Sequence, residues 1–298
     1  MSWLQISINA TKQTAESVET TLLDAGALSV TLKDAADEPI LEPDIGTTPL
    51  WKNAIITGLF DNTMQQDALI DHLRSELPKS CEIVFETLDD KDWTRAWMDN
   101  YTAMQFGERL WVCPWHIEPP DPAAINLRLD PGLAFGTGTH PTTALCLTWL
   151  DRNITQQDKI LDYGCGSGIL AIAALLLGAH HADGVDLDEQ AIIATIENTS
   201  ANNVEAQLAA MTVKQFEVNG GPKKYDIVLA NILSGPLVEL APLLQAYVKP
   251  DGDIVLSGIL QEQAEETRDA YAQYFEMDDI EIEEDWVLLH GRKINHAL

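Results

Sequence analysis

The sequence predicts an α/β chain in two parts, a small α+β unit followed by a larger open parallel sheet covered by helices. Three observations carry this. A length of 298 residues exceeds a typical single domain. After Asp158, short apolar runs alternate with segments of helical spacing, the pattern of a parallel sheet with both faces covered. Before it, two strand–helix–strand patterns follow one another.

Leu4, Ile6 and Ile8 alternate with polar residues as a strand. Val18, Leu22 and Leu23 fall at helical spacing, and Ser29 to Leu32 reads as a second strand. The pattern repeats with Asn53 to Phe60 as strand, Met64 to Leu77 as helix and Glu82 to Glu86 as strand, and two such units predict a ferredoxin-like domain over 1–90. Between the halves, Ala35 to Pro49 holds Pro39, Pro43, Gly46 and Pro49 among acids and reads as a loop. Trp93, Trp97 and Tyr101, four residues apart, form one stripe of a linker helix placed over 91–105. Such a stripe serves packing more often than ligand binding.

The second domain is placed over 106–298. Arg109 to Trp115 reads as a strand, and Pro114, Pro119, Pro120 and Pro122 punctuate its end and the residues after it. Further strands are Lys159 to Tyr163, Ala182 to Leu187, Tyr225 to Ala230 and Asp253 to Gly258. Helices lie at Ile169 to Leu177, Glu189 to Asn198, Pro236 to Tyr247 and Gln261 to Phe275. Ile280 and Ile282 alternate with acids and Trp286 to Leu289 is continuously apolar, so an antiparallel strand pair closes the sheet.

Composition bounds the function. With 47 acidic against 18 basic residues the formal charge is −29, a field that repels phosphate backbones and attracts cationic partners. Nucleic acid is therefore not expected as a direct partner, although such acidity also serves solubility. Cys81, Cys113, Cys146 and Cys165 show no metal-ligand or redox spacing, and no metal is expected. The first residues lack a basic segment with an apolar core, and no apolar run reaches membrane-spanning length, so the expected compartment is the cytoplasm, without membrane contact.

The chemistry begins at Asp162-Tyr163-Gly164-Cys165-Gly166-Ser167-Gly168, a sharp turn between a strand and an apolar helix. Gly164, Gly166 and Gly168 let the backbone approach a ligand, and the helix start presents unpaired amides. Packing alone can also call for such a turn. Asp186 ends the next strand and can accept both ribose hydroxyls of a nucleotide, or else cap a helix; Asp188 is the better cap for the helix at Glu189. Asn231 ends a later strand on the same ligand-bearing sheet edge. Its side-chain carbonyl, with the backbone carbonyls of Ile232 and Leu233, can orient an amine lone pair, unless Asn231 caps the following helix.

Asp162, two residues before the first glycine, makes the turn resemble the first motif of class I methyltransferases more than a dinucleotide fingerprint. That resemblance implies a seven-stranded Rossmann-like sheet, S-adenosylmethionine as cofactor, and Asp162 at its methionine end. Asn231-Ile232-Leu233-Ser234 resembles the Asn-Pro-Pro-aromatic motif of amide and adenine methyltransferases but lacks both prolines and the ring, which favours a flexible alkyl amine as acceptor.

A second run, Asp130 to Thr143, is too glycine-rich for a strand and reads as a lid or cofactor-contact loop. Pro141 opens a helix whose start should leave the amides and hydroxyls of Thr142 and Thr143 free. His140 is a general base by residue type, though a loop histidine is more often structural. With this run, the chain resembles the PrmA family of bacterial ribosomal protein methyltransferases over nearly its whole length. The resemblance implies cofactor binding at Thr143, Gly164, Asp186 and Asn231. It also implies methylation of lysine side chains and the N-terminal α-amine of large-subunit ribosomal protein 11, the basic stalk-base protein, by an enzyme expected to be a monomer.

Overall fold

The computed structural model describes residues 2–36, 40, 47, 49–61, 66–78, 81–89, 102–129, 140–219 and 224–294. The chain divides into two compact units, residues 1–96 and 97–298. In the first, strands β1 (Ser2–Thr11), β2 (Ser29–Asp34), β3 (Asn53–Asp61) and β4 (Ile83–Asp89) make an antiparallel sheet in the order β2-β3-β1-β4. Helices α1 (Ala15–Asp24) and α2 (Gln66–Glu76) follow β1 and β3. Alternation makes the core: Leu4, Ile6 and Ile8 of β1 and Ile56 and Phe60 of β3 pack with Val18 and Leu22 of α1 and Leu69 and Leu73 of α2.

The second unit begins with a three-stranded sheet, β5 (Met104–Phe106), β6 (Leu110–Pro114) and β7 (Ile125–Leu129). Residues 91–101 of the expected linker helix lie outside the described residues, and Met104 and Gln105 at its end are strand, paired to Val112 and Trp111.

The remaining elements alternate. After α3 (Pro141–Asn153) come β8 (Lys159–Tyr163), α4 (Ile169–Leu177), β9 (His181–Asp186), α5 (Glu189–Ala201), β10 (Leu208–Thr212), α6 (Val213–Asn219) and β11 (Tyr225–Asn231). They continue with α7 (Ser234–Tyr247), β12 (Val248–Leu260), a short 3₁₀ turn (Gln261–Gln263), α8 (Ala264–Ala272), β13 (Phe275–Met277), β14 (Glu281–Glu283) and β15 (Trp286–Lys293). The sheet runs β10-β9-β8-β11-β12-β15-β13, parallel through β12 and antiparallel beyond, with β14 added on β15. Among the described residues it therefore has eight strands, where the resemblance to class I methyltransferases implies seven. The helix expected to reach Phe275 stops at Ala272, because Phe275 pairs with Lys293 as the start of β13.

Burial alternates along the central strands. Ile160, Ile227, Leu229 and Val255 face one core with α3 and α4, while Leu161, Val228, Ile254 and Leu256 face the other with α7 and α8. The helix α4, Ile-Leu-Ala-Ile-Ala-Ala-Leu-Leu-Leu, is apolar all round and correspondingly buried. From β8 the chain steps outward through β9 and β10, then crosses to β11 on the other side of β8. That reversal opens a crevice at the carboxyl ends of β8 and β11, where open α/β sheets bind ligands.

Candidate active site

Asp162 on β8 lies between Gly184 of β9 and Leu229 of β11, so the next residues of all three strands converge on the crevice. Its side chain is buried. One oxygen, Oδ2, accepts the Ala171 amide at 3.1 Å, while Oδ1 has no partner among the described residues. Burial pushes the carboxyl up to about 7, against the Ala171 hydrogen bond and with the help of the Asp186 charge. An opposite charge placed at Oδ1 would reverse that shift.

The turn after β8 is held from two sides. The Val185 carbonyl accepts the amides of Gly164 at 2.7 Å and Cys165 at 3.1 Å. Thr195 Oγ1 donates to the Gly166 carbonyl and Asn198 Nδ2 to the Ser167 carbonyl, both at 2.9 Å, so polar side chains of α5 support the turn from beneath. Gly164, Gly166 and Gly168 have φ of 84°, 54° and 78°, a left-handed run closed to most side chains. Nothing in the turn's own sequence points to Thr195 and Asn198; their mark is that they are polar residues inside a helix that packs on a sheet.

Asp186, at the end of β9, takes the Gly166 amide on Oδ2 at 2.9 Å and the Asp188 amide on Oδ1 at 3.0 Å. Each oxygen keeps a second lone pair for a ligand hydroxyl. Capping of α5 falls to Asp188, which accepts the Gln190 amide at 2.9 Å, so Asp186 is not a cap.

Asn231 ends β11 and donates from Nδ2 to Thr143 Oγ1 at 3.4 Å, which leaves its carbonyl oxygen unengaged by the described residues. It caps nothing: the N-cap of α7 is Leu233, which makes no side-chain cap bond and is 54% exposed. Ile232 is half-buried, with Cγ2 over Gly164. Thr142 and Thr143 are buried rather than free: the Thr142 amide donates to His140 Nδ1 at 3.3 Å and the Thr143 amide to the His140 carbonyl at 3.0 Å. Pro141 supplies no amide, so His140 satisfies what the helix start leaves open. Its ring also lies edge-on to Trp286, with centroids 4.7 Å apart, and burial holds its pKa down against the Glu284 charge. A nitrogen occupied as a cap is not a free base. Residues 130–139 of the expected lid lie outside the described residues.

The arrangement offers a buried acceptor at Asp162, an acid at Asp186, and an amide oxygen at Asn231, all around one crevice. The thiols of Cys146 and Cys165 are pushed up by burial and by Asp162, which removes them as nucleophiles. No cluster of His, Cys, Asp and Glu among the described residues could hold a metal, and no described helix is long and apolar enough to cross a membrane.

A parallel sheet of this order with an antiparallel strand beyond β12, and with this turn at its switch point, is the architecture of the class I methyltransferases. Over residues 2–294 the chain matches the family model described as Ribosomal protein L11 methyltransferase (PrmA). It is 52% identical over 297 residues to the ribosomal protein L11 methyltransferase of Cellvibrio japonicus (strain Ueda107), covering 98% of this chain and 99% of that protein. It is 50% identical over 301 residues to the protein of the same name from Marinomonas sp. (strain MWYL1), with coverages of 98% and 99%. Among solved structures it is similar to the ribosomal protein L11 methylase of Lactobacillus delbrueckii subsp. bulgaricus. That similarity is 32% in sequence with a TM-score of 0.59, over 65% of this chain and 100% of that one. The chain belongs to the ribosomal protein L11 methyltransferase (PrmA) family.

Proposed function

We propose that the protein transfers methyl groups from S-adenosylmethionine to lysine side chains and the N-terminal α-amine of ribosomal protein L11, in the cytoplasm. The whole-chain family match carries the reaction and the target. The site residues are assigned on geometry. Asp162 fits this cofactor because a buried carboxyl oxygen with no partner among the described residues, beside a glycine turn that lets a ligand approach the backbone, suits a ligand carrying an ammonium group. Asp186 would take the ribose hydroxyls. Gly164, Gly166 and Gly168 bring the backbone close, and Thr143 orients Asn231. The cofactor, when bound, supplies a methyl group on a sulfonium.

The chain's own residues then have to receive a neutral amine. A lysine near pKa 10.4 needs roughly 4.6 kcal/mol to lose its proton at pH 7, whereas an α-amine near 7.7 to 8.0 needs only about 1 to 1.4 kcal/mol. Anionic groups beside the nitrogen would raise that cost. Neutral acceptors avoid it: Asn231 Oδ1 and the carbonyls of Ile232 and Leu233 orient the lone pair, and positioning supplies most of the rate. The acidic surface acts at longer range, drawing in a basic protein. We assign recognition of that protein to the first unit.

The test is transfer of radiolabel from S-adenosylmethionine to purified ribosomal protein L11. Label should appear with the wild-type protein and fall by about 100-fold with a folded Asn231→Ala variant. Equal labelling by the two would remove Asn231 from the reaction.

A further inference from the structure

Between Leu256 and Ile259 the pairing of β12 with β15 slips, since Leu256 lies opposite Leu289 but Ile259 opposite Val287. Ser257 and Gly258 together oppose a single residue, which is a β-bulge. Ser257 Oγ donates to the Val287 carbonyl at 2.9 Å across it. Bulges recur beside active sites, where they re-aim the chain. Its first residue, Ser257, pairs with Asn231 on β11, and Gly258 follows directly.

Gly258 has φ of 82°, and a Cβ there would lie 2.3 Å from the Ile232 carbonyl oxygen, 2.8 Å from its carbon and 3.1 Å from its nitrogen. The bulge therefore seats the backbone of Ile232 directly. At the other end of the same residue, a Cβ on Gly164 would lie 2.3 Å from Ile232 Cγ2. That methyl sits on a β-branched side chain with few rotamers in which to retreat.

We propose that Gly258 is a positioning residue for methyl transfer: its bulge sets the Ile232 peptide, and Ile232 wedges the acceptor segment against the cofactor turn at Gly164. The proposal rests on the methyltransferase reading above. It places the two halves of the reaction in contact through one residue. Donor and acceptor geometry are then not independent, and a shift of the Ile232 peptide misaligns the amine while leaving Asp186 and the turn amides in place.

Four variants of the full chain test this, each with cofactor affinity measured by calorimetry and steady-state methyl transfer to the ribosomal protein. Gly258→Ala should lower kcat by about 10- to 100-fold, the scale of an ångström misplacement. Its affinity for S-adenosylmethionine should stay within about threefold of wild type. Gly178→Ala controls for backbone strain, since that glycine has φ of 120° but its Cβ would meet only Gln156 Cγ at 3.8 Å; it should lower stability and leave kcat alone. Gly164→Ala should weaken cofactor binding by about tenfold or more. Gly164→Ala combined with Ile232→Ala should recover part of that affinity, because the obstructing methyl is gone while the strain of a side chain at φ of 84° remains.

If Gly258→Ala keeps wild-type kcat, or loses kcat and cofactor affinity in parallel, the positioning role is wrong. If that variant does not fold, the Gly164 pair decides, and no recovery on adding Ile232→Ala overturns the wedge. A wild-type protein that transfers no methyl group would instead overturn the reading on which the proposal rests.

Discussion

Asp162→Asn should make the ligand-free protein more stable in alkaline than in acidic buffer relative to wild type, while weakening cofactor binding. In the wild type, burial raises the carboxyl from 3.8 to about 7. Between those values the unfolded chain has lost the proton and the folded one retains it, so stability falls as pH rises through the window and the full cost is reached above about pH 7. From about pH 5 to pH 7 that is two units, or about 3 kcal/mol at 1.36 kcal/mol per unit. Asparagine carries no charge and escapes this slope, although its amide leaves a buried donor in place of Oδ1, a pH-independent cost of about 1–3 kcal/mol. Denaturant melts of both proteins at about pH 5 and pH 8 should show their difference moving by about 3 kcal/mol in favour of asparagine. Calorimetry at about pH 8 should show cofactor affinity reduced by about 10- to 100-fold, the worth of one charge-assisted hydrogen bond. A stability difference that does not change with pH would refute the reasoning, since the carboxyl would then ionise in the fold as it does in water.

Asp186→Ala removes the acceptor of the Gly166 amide as well as the proposed ribose contact, so calorimetry should show cofactor binding weakened by about 100-fold. Asn202 ties β7 to α5, taking the Arg128 amide and giving to the Arg128 carbonyl, each at 2.7 Å; Asn202→Ala should cost about 3 kcal/mol in a denaturant melt. His290 reaches Asp278 from Nδ1 at 2.8 Å and Asp253 from Nε2 at 2.9 Å. Burial alone would lower its pKa, but these carboxylates outweigh it and raise the value above 6.5. The stability they lend is present at acidic pH and lost as pH rises through the raised value, and His290→Gln should erase that slope in melts across the range.

Much of this arrangement is legible in the sequence. Short continuous apolar runs mark β8, β9 and β11, and the glycines of 164–168 with Asp186 mark the crevice, because those features depend on local chemistry. Asp188 reads as a cap for the same reason. Features that depend on distant partners are not legible. Leu208–Thr212 is rich in alanine and becomes β10 only through parallel pairing with β9, and Met104–Phe106 is strand because β6 lies beside it. Free hydroxyls at Thr142 and Thr143 are the expectation from Pro141, but the imidazole of His140 and the packing of α3 bury them. Gly258 looks like an ordinary strand end; only the slipped register with β15 reveals the bulge.

The central claim is methyl transfer to a ribosomal protein, and intact-mass spectrometry of ribosomal protein L11 incubated with the enzyme and S-adenosylmethionine tests it most directly. Mass increments of whole methyl groups are expected, which fragmentation places on lysine side chains and the N-terminal amine and which require both enzyme and cofactor. An unchanged mass under saturating cofactor, with the enzyme folded and binding it, would contradict the claim.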